Sequence, residues 1–218
     1  MFPVIDLHTH SIFSDGELIP SELIRRAMAA GYRAIAITDH ADHSNLDFIL
    51  PRVSKACRKI SEVYPIKALA GIEITHVPPV LIPGLVKEAR QLGAKIVVIH
   101  GETIVEPVAA GTNRAAIEAR VDILAHPGLI TPDLVKKAAK NGVFLEITTR
   151  QGHGYTNGHV ARLAREFKAP LVMNTDSHAP RDLVTLEMAR KIAAGAGLQP
   201  DEIKEMFRNS EKLVRRSL

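Results

Sequence analysis

The sequence predicts an α/β domain in which parallel strands alternate with helices, arranged as a closed barrel or a doubly wound sheet. Three observations carry that prediction. Seven short β-branched or apolar runs are spread along the 218 residues, longer helical patterns fill the gaps between them, and no linker or low-complexity segment interrupts the series. Each run is continuous enough to be buried on both faces, as strands of a parallel sheet must be. A chain of this length most simply forms a single domain over residues 1–218. No convincing internal repeat is visible.

The runs are residues 3–7, 34–38, 66–70, 96–99, 122–125, 143–148 and 171–175. Ser21-Glu22-Leu23-Ile24 starts a helical pattern that Gly31 stops, and residues 81–92 form another that ends at Gly93. Thr131-Pro132-Asp133 supplies a cap and a first-turn proline for a helix ending at Asn141-Gly142. Gln199-Pro200-Asp201 opens a last amphipathic stretch over residues 201–218. Its stripe of Ile203, Met206, Phe207 and Leu213 reads as a packing face.

Composition narrows the function. With 46% hydrophobic and 24% charged residues the chain is an ordinary soluble globule, and disorder is excluded. A lone cysteine, Cys57, allows neither an internal disulfide nor a thiolate pair, so any metal must be held by nitrogen and oxygen ligands. A cytoplasmic location is the corresponding expectation. The net charge of +4 and the 4% aromatic content without tryptophan argue against nucleic-acid binding by bulk charge or base stacking. Residues 1–6 lack the basic start and long apolar run of a signal peptide. The most apolar stretch, residues 68–86, carries Glu73, His76 and several prolines and glycines, so no membrane span is expected. Nothing in the sequence specifies an oligomeric state. The unusual number is ten histidines.

Six of those histidines, with two carboxylates, fall at the C-terminal ends of the runs. His8 and His10 close the first, His40 follows the second, Glu73 the third, His100 the fourth, His126 the fifth, and Asp176 with His178 the seventh. In either architecture these ends form one rim, so residues far apart in sequence become a cluster. Residues i and i+2 of a strand share a side, which suits His8 with His10 and Asp176 with His178 to gripping a common ion. Imidazoles and carboxylates without sulfur suit Zn, Mn or Fe.

At these residues the chain resembles the polymerase and histidinol phosphatase (PHP) superfamily of metal-dependent phosphoesterases. Asp6-Leu7-His8-Thr9-His10-Ser11 with Ser14-Asp15-Gly16 resembles the first family motif, and Ile37-Thr38-Asp39-His40 the second. Gly71-Ile72-Glu73 resembles the third, His100 and His126-Pro127 supply the middle histidines, and Asn174-Thr175-Asp176-Ser177-His178 the last motif. The resemblance implies a distorted (β/α)7 TIM-like barrel, the PHP fold. It also implies one metal held by His8, His10, Glu73 and Asp176, a second by Glu73, His100 and His126, and a third by Asp15, His40 and His178. Asp15 stands where the family often has histidine. Three divalent ions would bring six positive charges against three from Asp15, Glu73 and Asp176, a surplus that favours an anionic substrate. The implied reaction is hydrolysis of a small phosphomonoester, histidinol-phosphate-like or nucleotide-like, by a hydroxide bridging the first two of two or three divalent ions.

The sixth run ends without a ligand, and its loop offers Arg150 as a bidentate phosphate contact and His153 as a phosphate contact or proton donor. Two polar residues on a glycine-rich surface loop is the plain alternative. Arg181 is a further phosphate candidate, ranked below Arg150. His43, three residues after His40, is a candidate acid or substrate contact, against a solvated loop histidine. His76 is placed at the pocket mouth and His159 in a structural or exposed role. Asp6 and Asp39 are candidates to orient imidazoles. Glu146 lies inside the sixth run with its facing ambiguous. Two other readings remain: an amidohydrolase-type C–N hydrolase, which predicts a carbamylated lysine bridge and an eighth βα unit, and a non-catalytic metal-stabilised binding module.

Overall fold

In the computed structural model, which describes residues 4–217, the strands are β1 (Val4–Thr9), β2 (Tyr32–Ile37), β3 (His40–Ala41), β4 (Lys67–Ile74), β5 (Ile96–His100), β6 (Ile123–Ala125), β7 (Phe144–Thr148) and β8 (Leu171–Asn174). All pairings are parallel, in the order β1-β2-β4-β5-β6-β7-β8, with the two-residue β3 added beside the end of β4. This is a nearly closed, distorted (β/α)7 barrel. Pro3, where the first expected run begins, and Leu218, where the last expected helix ends, lie outside the described residues.

One expectation shifts. The third run continues to Ile74, so Glu73 belongs to the strand and pairs with Val98 and His40 instead of following it. Gly71 permits this, because a Cβ there would press on the Ile96 carbonyl and the Thr38 methyl. The barrel also closes by unusual means. Thr9 bridges Ser177, and His10 donates its N–H to the Ser177 carbonyl at 2.8 Å. Further down the seam side chains replace the ladder: Leu7 N–H donates to Asn174 Oδ1 at 2.8 Å and Thr175 N–H to Asp6 Oδ1 at 3.2 Å.

Helices α1 (Pro20–Ala29), α2 (Leu46–Val63), α3 (Ile82–Gln91), α4 (Thr112–Glu118), α5 (Pro132–Asn141), α6 (Asn157–Phe167) and α7 (Leu186–Gly195) pack outside the sheet. The strands alternate accordingly. Ile35, Ile37, Ile72, Val97, Ile99, Leu145 and Met173 face the helices. Ile5, Leu7, Ala34, Ala36, Leu69, Ile96, Val98, Ile123, Phe144 and Val172 fill the interior. The last helix, α8 (Pro200–Ser217), does more than pack a side. Leu213 and Val214 join the interior cluster, Asn209 Nδ2 donates to the Leu171 carbonyl at 2.9 Å, and Ser217 Oγ donates to the Lys95 carbonyl at 3.0 Å. These partners lie at the N-terminal ends of β8 and β5, so α8 plugs the bottom of the barrel. Among the described residues no helix is long and apolar enough to cross a membrane.

Candidate metal centre

Following the interior upward, the apolar layers give way to ligating groups. His100 is the last residue of β5 and Glu73 the penultimate residue of β4; His126 follows β6 directly, and Asp176 lies two residues past β8. His8 lies within β1 and His10 just after it. Three of the site's residues hold left-handed backbone despite their side chains, His76 at φ 53°, His126 at φ 24° and Asp176 at φ 52°. Such conformations persist where surrounding structure enforces them, and they cluster at functional sites.

Glu73 is fully buried at the centre, with five imidazoles around it. Its carboxylate oxygens are 2.8 Å from His40 Nδ1, 3.2 Å from His8 Nε2, 3.4 Å from His100 Nδ1, 3.6 Å from His10 Nε2 and 3.7 Å from His126 Nε2. Yet both Glu73 oxygens, His8 Nε2 and both ring nitrogens of His10, His100 and His126 make no hydrogen bond. Nine buried polar atoms thus converge without satisfying one another, which would be costly unless a further group belonged among them. Ligands at about 2.1 Å from one ion stand about 3–3.4 Å apart, which is the scale of these separations.

The separations divide into three groups. His8, His10 and Asp176 meet beside Glu73, with His10 Nε2 3.1 Å and His8 Nε2 3.7 Å from Asp176 Oδ1. His100 Nδ1 and His126 Nε2 approach Glu73 Oε1, the same oxygen that His8 Nε2 faces, and His126 Nε2 is also 3.8 Å from Asp176 Oδ2. Asp15 Oδ1 is 3.1 Å from His178 Nε2 and 3.5 Å from His40 Nε2. Gly16 lets the Asp15 turn fold onto the first strand, because any Cβ there would overlap the His10 carbonyl. Burial holds the His10 and His126 imidazoles well below the usual histidine range, and a neutral ring is the form that ligates. Burial also pushes the Asp176 carboxyl up to about 7 in the metal-free chain.

The imidazoles are oriented by groups other than those expected. Asp39 accepts from Ser11 N–H, Ser11 Oγ and Ser14 Oγ, and Asp6 accepts from the His8 and Thr175 backbone, so both carboxylates fix loops and not rings. Glu146 takes the ring-orienting role. Entirely buried and facing inward, it accepts from His8 Nδ1 at 2.8 Å, from Asn174 Nδ2 at 2.8 Å and from His126 N–H at 3.2 Å. Thr75 Oγ1 meets His40 Nδ1 at 2.7 Å, and the Asp176 carbonyl accepts from His178 Nδ1 at 2.9 Å.

Above this floor is a cavity of about 270 Å³ whose walls include Arg150, His153, His76 and Glu106. His153 is buried, its Nδ1 fixed by Thr103 Oγ1 at 2.8 Å. Arg150 is half-buried, with Nη1 3.4 Å from both the Asp176 carbonyl and Asp182 Oδ2. His43 is exposed and does not line the cavity. Glu106 escapes notice in the sequence: its carboxylate comes within 3.0 Å of His100 Nε2, 3.3 Å of His153 Nε2 and 3.4 Å of His76 Nε2. The neighbouring His100 imidazole draws it down to about 2. His159 serves structure, its Nε2 bonding the Ile130 carbonyl at 2.8 Å. A larger cavity of about 570 Å³ lies at the opposite end, among Cys57, Lys67, Lys95 and Ser217.

Residues 6–103 match the family model of the PHP domain. The chain is 50% identical over 201 residues to an uncharacterized protein of Methanocaldococcus jannaschii, covering 91% of this chain and 92% of the relative. It is 29% identical over 225 residues to ribonuclease P protein component 3 of Methanosarcina mazei, covering 96% and 87%. Among solved structures it is similar to the metal-dependent tyrosine phosphatases of Bacillus subtilis and Streptococcus pneumoniae, with a TM-score of 0.65 at 17% identity, covering 98% of this chain and 95% of the other.

Proposed function

This chain belongs to the PHP superfamily and is a metal-dependent hydrolase, and from that premise we propose that it releases phosphate from a small phosphomonoester. The observation that carries the reading is the set of nine buried polar atoms on His8, His10, Glu73, His100 and His126 that converge without bonding. One ion would be held by His8, His10, Glu73 and Asp176, a second by Glu73, His100 and His126, and a third by Asp15, His40 and His178. The nitrogen and oxygen donors suit Zn, Mn or Fe. When bound, such ions polarise phosphoryl oxygens and lower the pKa of water to about 7.

The chain's own groups do the rest. Arg150 donates from its guanidinium to phosphate oxygens, and its long contacts to Asp176 and Asp182 exchange readily for charge-assisted ones. His153, fixed through Nδ1 by Thr103, presents Nε2 to the cavity and donates to the phosphate or to the leaving oxygen. Glu146 keeps the His8 ring turned toward Glu73.

A purely RNA-binding role, raised by the likeness to the ribonuclease P component, would leave those nine atoms without a purpose. An amidohydrolase reading fits less well, since Glu73 occupies the bridging position and no described lysine lines the cavity. The test is elemental analysis of the purified protein with phosphate release from p-nitrophenyl phosphate after adding back Mn, Zn or Fe. Two or more equivalents of bound metal and metal-stimulated release are expected. A protein that binds no metal, or that releases no phosphate under any of these conditions, overturns the reading.

A further inference from the structure

Arg150 lines two cavities at once. One is the chamber of about 270 Å³ over the metal centre, and the other is an adjoining cavity of about 490 Å³ whose walls include Gln151, Tyr155, Arg181, Asp182 and Val184. The first is smaller than the roughly 300–1,000 Å³ of ordinary ligand sites. A phosphoryl group bound over the ions therefore leaves the rest of its molecule to extend past Arg150 into the second cavity. We propose that this second cavity is a leaving-group subsite that selects phosphomonoesters carrying a second anionic group. The inference rests on the phosphatase reading and adds a substrate class to it.

The charges in the cavity support an anion. Asp182 is the only acidic residue on its walls among the described residues, and Asp182 Oδ2 is already engaged by His178 N–H at 3.0 Å, Ala179 N–H at 2.8 Å and Arg150 Nη1 at 3.4 Å. Arg150 Nε and Nη2 have no partner among the described residues. Arg181 has only a 3.4 Å contact with Glu17, between side chains 78% and 54% exposed, and a pair so exposed holds its partner weakly. Two guanidinium groups with free donors thus face one cavity, the forked geometry that recognises carboxylate and phosphate. Tyr155, 74% exposed, and Val184 supply an apolar wall beside them, suited to the body of a leaving group.

The experiment compares three aryl phosphates with the metal-loaded protein: phenyl phosphate, 4-carboxyphenyl phosphate and 1,4-phenylene bisphosphate. A charge-assisted contact at the subsite raises kcat/KM for the two charged esters about tenfold or more over phenyl phosphate, chiefly through KM. The two charged esters separate a carboxylate from a phosphate as the preferred group. In Arg181→Ala the preference for charged over uncharged ester collapses toward one, and Arg181→Lys retains part of it. Because Arg181 is exposed, this variant folds. Equal kcat/KM for all three esters, or a preference that survives Arg181→Ala, overturns the subsite alone. No phosphate from any ester overturns the phosphatase reading and the subsite with it.

Discussion

At the N-terminal end of the barrel, Leu213 and Val214 of the last helix close over Ile5, Ile96, Ile123 and Phe144, and the interior is apolar. At the C-terminal end the same strand faces carry Glu73, His100 and Glu146, and the irregular first strand adds His8, all buried equally deeply. On β5 the inward residues run Ile96, Val98, His100; on β7 they run Phe144, Glu146, Thr148. One face of one strand thus passes from core to chemistry within three inward positions. The apolar end stabilises the barrel, and the polar end spends part of that stability on groups that cannot pair among themselves.

Four substitutions and conditions probe this contrast, in descending order of effect. Glu73→Gln removes charge from the centre of the polar end, and phosphate release should fall by about 10³-fold or more while circular dichroism of the metal-free protein is retained. Equal loss of fold and activity would make Glu73 a structural residue. At the other end, Leu213→Ala should cost about 2–5 kcal/mol in denaturant unfolding with metal content and activity per folded molecule intact. Glu146→Gln weakens the hold on the His8 ring and should lower metal affinity about 10–100-fold, read by competition with a chelating dye. Lastly, metal uptake should weaken by about tenfold or more per pH unit as pH falls, because ligation needs Asp176 ionised and the His8, His40 and His100 rings neutral, and burial raises the first while neighbouring carboxylates raise the other three. Uptake independent of pH between 5 and 7 would exclude Asp176 as a ligand.

The sequence made most of this contrast legible, because a ligand placed at a run's end needs no knowledge of side-chain direction. His8, His10, His40, Glu73, His100, His126, Asp176 and His178 all reach one mouth for that reason. Direction was the harder matter. Glu146 sits mid-strand, and only the register of β7 against β8 and β6 settles that it faces inward beside His8. Glu106 lies in a loop with no periodicity, where only the coordinates bring it to His100 and His153. Asp6 and Asp39 looked like ring-orienting groups by proximity in sequence, yet Asp6 accepts from the His8 and Thr175 backbone and the Thr175 hydroxyl, and Asp39 from Ser11 and Ser14, instead. The plug formed by the last helix was equally hidden, since an amphipathic stripe tells that a helix packs and not on what.

The seam between β1 and β8 ties assembly to chemistry. Asn174 receives the Leu7 amide with one end of its side chain and with the other holds Glu146, which in turn steers the His8 ring. Leu7 and Asn174 are 167 positions apart along the chain, so the pocket proposed for the first ion becomes complete only when the last strand docks against the first. A nascent or truncated chain that stops short of Asn174 would carry most of the histidines and still have no place to seat that ion.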